Sequence, residues 1–180
     1  LVHTYMPKGF DYHAYAGGNR LKFLRIHTAD SAGKNIGYDD IYFDGLGSIN
    51  PFIFIYEGEL RWYKIGGAPH FPVFDQWESY EFAVTLDTVP AAQGGKAMIR
   101  FWKNGVLVEE FRDRITLKTE TGYADAAYLF TYWNGGAPKT QSMYVDEITV
   151  TNKATNKDLD GNLYIGGLIA PARPKAPLPK

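Results

Sequence analysis

Arg25 and His27 stand two residues apart in Lys22-Phe23-Leu24-Arg25-Ile26-His27-Thr28. Strand alternation predicts Phe23, Arg25 and His27 on one face and Leu24 and Ile26 on the other. Two cation-capable groups on one strand face are poor core material and good material for holding a polar ligand. β-Elimination on a uronic acid polymer needs a group that neutralises the carboxylate, a base for the neighbouring ring proton and an acid for the leaving oxygen. Arg25 could serve as the first, His27 or His70 as the second and Tyr132 as the third. The same residue types also hold sugars without turnover. Aromatic rings stack on the weakly polar C–H faces of a sugar, and hydrogen-bonding side chains bracket its rim. Candidate platforms are Tyr56, Trp62, Tyr63, Trp102, Tyr132 and Trp133; candidate brackets are Arg25, His27, Arg61, Arg100 and Asn134.

Other chemistries have weaker support. Paired carboxylates for glycoside hydrolysis would come from Asp39-Asp40, Glu57 with Glu59, or Glu109-Glu110, yet adjacent residues on a strand such as Glu109 and Glu110 point to opposite faces, and Glu57 and Glu59 flank the turn glycine Gly58, where solvation is expected. Asp158-Leu159-Asp160-Gly161-Asn162 starts like a calcium loop, but Ile169 stands where the closing bidentate acid belongs, so a polar turn is expected. Asp146, or Asp39, Asp40 and Asp44 together, could hold a structural calcium, and no other cofactor is expected. His3, His13, His27 and His70 lack zinc spacing.

The composition fits these options. A formal net charge of -1 lacks the basic excess that phosphate binding needs, so nucleic acid is not expected as a partner. No apolar window is long enough to cross a membrane as a helix. Cysteine is absent, so disulfides play no part. The start at Leu1 rather than Met suggests a processed or trimmed chain. With 13 Tyr and 4 Trp, each bearing a polar atom, part of the aromatic content belongs on a wetted surface.

The elements that must position these residues are strands. Phe101-Trp102-Lys103-Asn104-Gly105-Val106-Leu107-Val108 reads as a β-hairpin, because Asn-Gly tolerates the positive φ angles of a type I′ turn. Strands are expected over 22–28, 41–43, 52–57, 60–65, 80–86, 97–103, 106–111, 128–133 and 143–151, separated by glycine-rich turns. In the last strand Tyr144, Asp146, Ile148 and Val150 share a face. Short strands at this spacing predict an all-β antiparallel sandwich, a jelly roll with a concave face, over residues 1–152. Residues 153–180 form a polar, then proline-rich tail, expected to be a loose terminus or an arm for self-assembly.

The hairpin at 101–108 resembles those of the concanavalin A-like lectin/glucanase superfamily, whose members often carry a W-x-N-G turn. Tyr132-Trp133-Asn134-Gly135-Gly136 and Met143-Tyr144-Val145-Asp146-Glu147-Ile148 resemble closing strands of its heparin lyase I-like and glucuronan lyase-like branches. The resemblance implies two large antiparallel sheets, one cradling an oligosaccharide, in an extracellular or secreted protein. The Q-x-H and Y-x-K-x-G-x-Y motifs of the alginate lyase branch are missing at Ile26-His27 and Tyr63-Lys64-Ile65-Gly66, so no catalytic residue carries over. Three functions stay open: a lectin-like module that binds a polysaccharide, a polysaccharide lyase, and a structural or decoration subunit of a virus particle or extracellular assembly.

Overall fold

The computed structural model describes residues 1–12, 20–44, 50–56, 59–129, 133 and 135–166, with backbone alone at positions 53, 55, 56 and 59–61. Tyr132, Asn134 and the side chains of Tyr56 and Arg61 therefore lie outside the described residues. The strands in chain order are β1 (Val2–Tyr5), β2 (Lys22–Ala29), β3 (Asn35–Phe43), β4 (Phe52–Tyr56), β5 (Glu59–Ile65), β6 (Trp77–Thr85), β7 (Met98–Lys103), β8 (Val106–Phe111), β9 (Tyr123–Leu129), β10 (Tyr144–Asp146), β11 (Asn156–Lys157) and β12 (Leu163–Tyr164). Two five-stranded sheets result, ordered β10-β1-β6-β7-β8 and β5-β4-β3-β2-β9, with β11-β12 as a separate hairpin. Every strand pairing within these sheets is antiparallel. The chain is an all-β antiparallel sandwich, as expected.

The core is aromatic and draws on both sheets. Phe23, Phe43, Phe52 and Phe54 from one sheet meet Tyr80, Ile99 and Phe101 from the other, all fully or almost fully buried. Phe52 lies 4.9 Å from Phe101 in an edge arrangement, and Phe23 lies 5.1 Å from Tyr80 at 90°. Edge-to-face contacts of this kind add about 0.5–1.5 kcal/mol beyond area burial, so these rings lock the two sheets together.

Tyr80 brings a hydroxyl into this apolar layer and needs a partner. It donates to Glu78 at 2.8 Å, and Glu78 is ion-paired with Lys103 at 2.6 Å; both charged side chains are buried. Val73 N–H and Asn104 Nδ2 also donate to Glu78, and Lys103 Nζ donates to the Phe71 carbonyl at 2.7 Å. Asn104 and Gly105 adopt φ of 51° and 77°, the expected type I′ turn, and Asn104 Oδ1 accepts from Ser79 N–H at 2.8 Å. The turn residue thus joins β6 to the β7–β8 hairpin through its side chain.

Three departures from the expected strands matter for the site. A β-bulge between Lys22 and Leu24 lets both Phe23 and Leu24 face the core, so Phe23 parts company with Arg25 and His27. The last main strand ends at Asp146, because Glu147 takes φ 47°; Ile148 and Val150 are then exposed rather than aligned on a sheet face. Within the stretch expected to be a loose tail, residues 156–164 fold into the β11–β12 hairpin, which packs back on the β6–β7 region.

Candidate functional site

The outward face of the β5-β4-β3-β2-β9 sheet gathers three of the described candidates, Arg25, His27 and Trp62. On β3, Ile41 and Phe43 enter the core, so Tyr38, Asp40 and Tyr42 must point out. Register places Arg25 opposite Asp40 and His27 opposite Tyr38, with Tyr128 opposite Arg25 on the far side. Arg25 donates through Nε to Asp40 Oδ2 at 3.0 Å and through Nη2 to the same oxygen. Its guanidinium also lies 4.0 Å over the Tyr38 ring. Tyr42 is hydrogen-bonded to Asp40 and meets Trp62 edge-on at 5.2 Å. Arg20 covers Trp62 at 4.9 Å and approaches Asp44 at 3.5 Å.

Burial decides how these groups titrate. It pushes the Asp40 carboxyl above its ordinary range, although Arg25 and Tyr42 pull the other way. It also works to lower Arg25, but the hydrogen bond and charge of Asp40 outweigh that and hold the guanidinium above its usual value. The Tyr42 phenol is raised strongly, first by burial and then by the neighbouring Asp40. His27 Nδ1 sits 3.4 Å from Asp125 Oδ2 and 3.3 Å from Asn35 Nδ2, with the Tyr128 ring edge-on at 6.0 Å.

Among the described residues, Trp62 on β5 is 46 % exposed and Tyr128 on β9 is 43 % exposed, flanking a row of hydrogen-bonded polar groups. Their strands are the outermost of the sheet, four inter-strand spacings or about 19 Å apart. Comparison of the chain with family models, with curated proteins and with solved structures gives no match.

Several sequence candidates lie elsewhere. Trp102 is not an exposed platform: it is 1 % exposed on the outer side of the other sheet, beneath the C-terminal hairpin. Its indole N–H donates to Asp158 at 2.8 Å and its ring packs on Tyr164. Next to it, Glu81 accepts from the backbone of Ile165 and Gly166. Trp133, 5 % exposed, belongs to the core against Phe10 and bridges to Leu21. Arg100 is on β7, where its neighbours Ile99 and Phe101 face the core; it points away from the Arg25 face and pairs with Glu110 across the β7–β8 ladder. Tyr63 packs against the core with Arg114 over its ring at 3.8 Å. His70 lies in a short 3-10 turn (Ala68–His70); burial first and the Lys103 charge second lower its pKa. The structure thus keeps Arg25, His27 and Trp62 together and separates Arg100, Trp102 and Trp133 from them.

The carboxylates weighed as possible calcium ligands have other partners, and Asp158–Asn162 is the polar turn expected. Asp39 and Asp40, consecutive on β3, face opposite sides. Asp158 closes its own turn, accepting from the amides of Asp160 and Asn162 and from Trp102. Among the described residues no three acidic or histidine side chains converge as a metal site. Asp40, Tyr38, Tyr42, Arg20 and Asp125 were not among the sequence candidates for this face. The alternation Tyr38, Asp40, Tyr42 against Ile41 and Phe43 was the signal for the first three.

Proposed function

We propose that this domain binds a polysaccharide on the outer face of the β5-β4-β3-β2-β9 sheet. The observation that carries the proposal is the pair of half-exposed rings, Trp62 and Tyr128, on either side of the braced Arg25–Asp40 row. Rings of this kind supply stacking surface, and His27, Asn35 and Asp125 between them supply donors and acceptors for hydroxyls. Tyr42 and Arg20 fix Trp62 before a ligand arrives, which lowers the entropy lost on binding. Replacing Trp62 with Ala is expected to weaken glycan binding by about 1–2 kcal/mol with folding intact. Titration calorimetry against a polysaccharide panel checks this; unchanged affinity in Trp62→Ala would exclude the face.

Elimination chemistry fits the same face less well. Arg25 already faces Asp40, so its charge is committed before a uronate carboxylate arrives. His70 feels the charge of Lys103, the partner of Glu78, and is not on the Arg25 face. An assembly subunit draws on a different observation, the exposed Ile148 and Val150 after the edge strand β10. Sedimentation of the Ile148→Ser/Val150→Ser variant against the parent checks that alternative.

A further inference from the structure

We infer that the outer face of the β10-β1-β6-β7-β8 sheet carries a docking row for a proline-rich segment, and that its occupant is this chain's own stretch 171–177. Val2, Tyr80 and Val145 enter the core, so alternation turns Tyr5, Trp77 and Tyr144 outward. Register sets these three side by side, with Tyr5 opposite Tyr144 on one flank and opposite Trp77 on the other. Ring centroids stand 6.0 and 5.8 Å apart, inclined at 71° and 54°, and each ring keeps part of its surface exposed. Inclined rings leave clefts between them rather than one flat stacking plane. Aromatic-lined clefts are what a polyproline II helix docks into. The row reaches no further than about 12 Å, enough for one turn of that helix, about 9 Å. Asp75 fixes the central ring in advance: it accepts from the Tyr5 hydroxyl at 3.3 Å and from Lys8 N–H at 2.9 Å, while its own N–H donates to the Met6 carbonyl.

Three observations select the occupant. Pro171, Pro174 and Pro177 recur at every third residue, the period of polyproline II, so in that helix they share one face. The described chain also ends on this side of the molecule, where the amides of Ile165 and Gly166 donate to Glu81. Glu81 and Trp77 are four residues apart on β6, about 13 Å. The five residue steps from Gly166 to Pro171 span up to about 17 Å, so the segment reaches the row of its own molecule.

Charge is the third. The segments around the row, 2–11, 73–79 and 139–149, hold Asp11, Asp75, Glu78, Asp146 and Glu147 against Lys8, Lys139 and the buried His3. Glu78 points inward to Lys103, Glu147 lies 3.3 Å from His3, and Lys139 Nζ donates to the Gly9 carbonyl at 2.6 Å. With Glu78 set aside, acids still outnumber lysines there. Residues 167–180 carry Arg173, Lys175 and Lys180 and no acidic side chain, so the two surfaces are complementary.

The test uses the full chain, whose lack of cysteine lets Lys180→Cys carry a single nitroxide label. Amide signals of Tyr5, Trp77 and Tyr144 should broaden and recover when the label is reduced, while those of Arg25 and Tyr128 stay sharp. Adding Pro171→Ala, Pro174→Ala and Pro177→Ala, which alters nothing in the sandwich, should remove most of the broadening. Broadening that ignores the three prolines, that centres on Arg25 and Tyr128, or that is absent would overturn the docking row. Mixing untagged isotope-labelled protein with tagged unlabelled protein should leave the row sharp. Broadening in that mixture would show the segment of a second copy in the clefts and overturn the intramolecular occupant.

Discussion

Removing Arg25 should expose how the candidate face is held together. In Arg25→Met the aliphatic stem is kept, while the guanidinium that serves Asp40 and lies over Tyr38 is lost. Asp40 is fully buried and Arg25 is 13 % exposed, so water screens the pair only weakly. Breaking one side of a buried pair costs about 3–5 kcal/mol. For a chain of this size that is a fall in Tm of about 6–20 °C. The loss should depend on pH with a definite sign. Burial already raises the Asp40 pKa, and without Arg25 that rise is unopposed. A carboxyl whose folded pKa exceeds its unfolded value contributes stability below the unfolded value, near 3.9, and loses it as pH rises through the folded one. Arg25→Met should therefore be most damaging at neutral and alkaline pH. Near pH 4 Asp40 accepts a proton, and what remains is the lost contact with Tyr38, about 1 kcal/mol. Urea unfolding of parent and variant at both pH values measures this, with Arg25→Met/Asp40→Asn expected to recover most of the neutral-pH loss. An equal loss at both pH values, with no recovery in the double variant, would refute the electrostatic reasoning.

The remaining predictions concern the supports of that face and the opposite one. Trp102→Phe keeps the ring but removes the bond to Asp158, so amide exchange at Ile165 and Gly166 should accelerate while β6 and β7 stay protected. Acid should have the same effect: slight burial works upward on Asp158, but bonds from Trp102, Asn162 and Asp160 outweigh it and hold its pKa below the ordinary range. The hairpin's stabilisation by Asp158 is then present above about pH 3.9 and lost as pH falls through the lowered value; the protection factor at Ile165, its exchange rate divided into the intrinsic rate at each pH, should fall along an acid titration. Asn104→Ala combines a left-handed backbone with loss of the bond to Ser79, for about 2 kcal/mol in urea unfolding, and Asn104→Gly should cost less. Gly95→Ala would put a Cβ 2.1 Å from the Val89 carbonyl oxygen, so the 89–97 loop must rearrange and Tm should drop clearly.

Local signals in the chain carried the fold further than the site. Asn104-Gly105 specifies its turn by itself, and the alternating Phe52 and Phe54 announce an inward face without help from other strands. β1 escaped notice because it is four residues long and contains His3 and Thr4; both are buried only because β6 and β10 flank them. The Lys22–Leu24 bulge that turns Phe23 inward depends on its pairing with β3, which no period-2 pattern reveals. Trp102 faces outward, as alternation required, yet a hairpin 56 residues further along the chain buries it. Trp133 becomes core through Phe10 and Leu21, near the other end of the sequence. The site was legible at Arg25, His27 and Trp62, where local pattern and final surroundings agree; the carboxylates that set its charge appear only when β2, β3 and β9 are side by side.

Backbone amide shifts during titration of the isotope-labelled protein with a neutral oligosaccharide test the proposed face most directly. Saturable shifts at Trp62, Tyr42, Arg25, His27 and Tyr128, with Trp102 and Ile165 unmoved, are predicted. Shifts centred on Trp102, Glu81 and the C-terminal hairpin, or no saturable shift with any oligosaccharide of the panel, would contradict it.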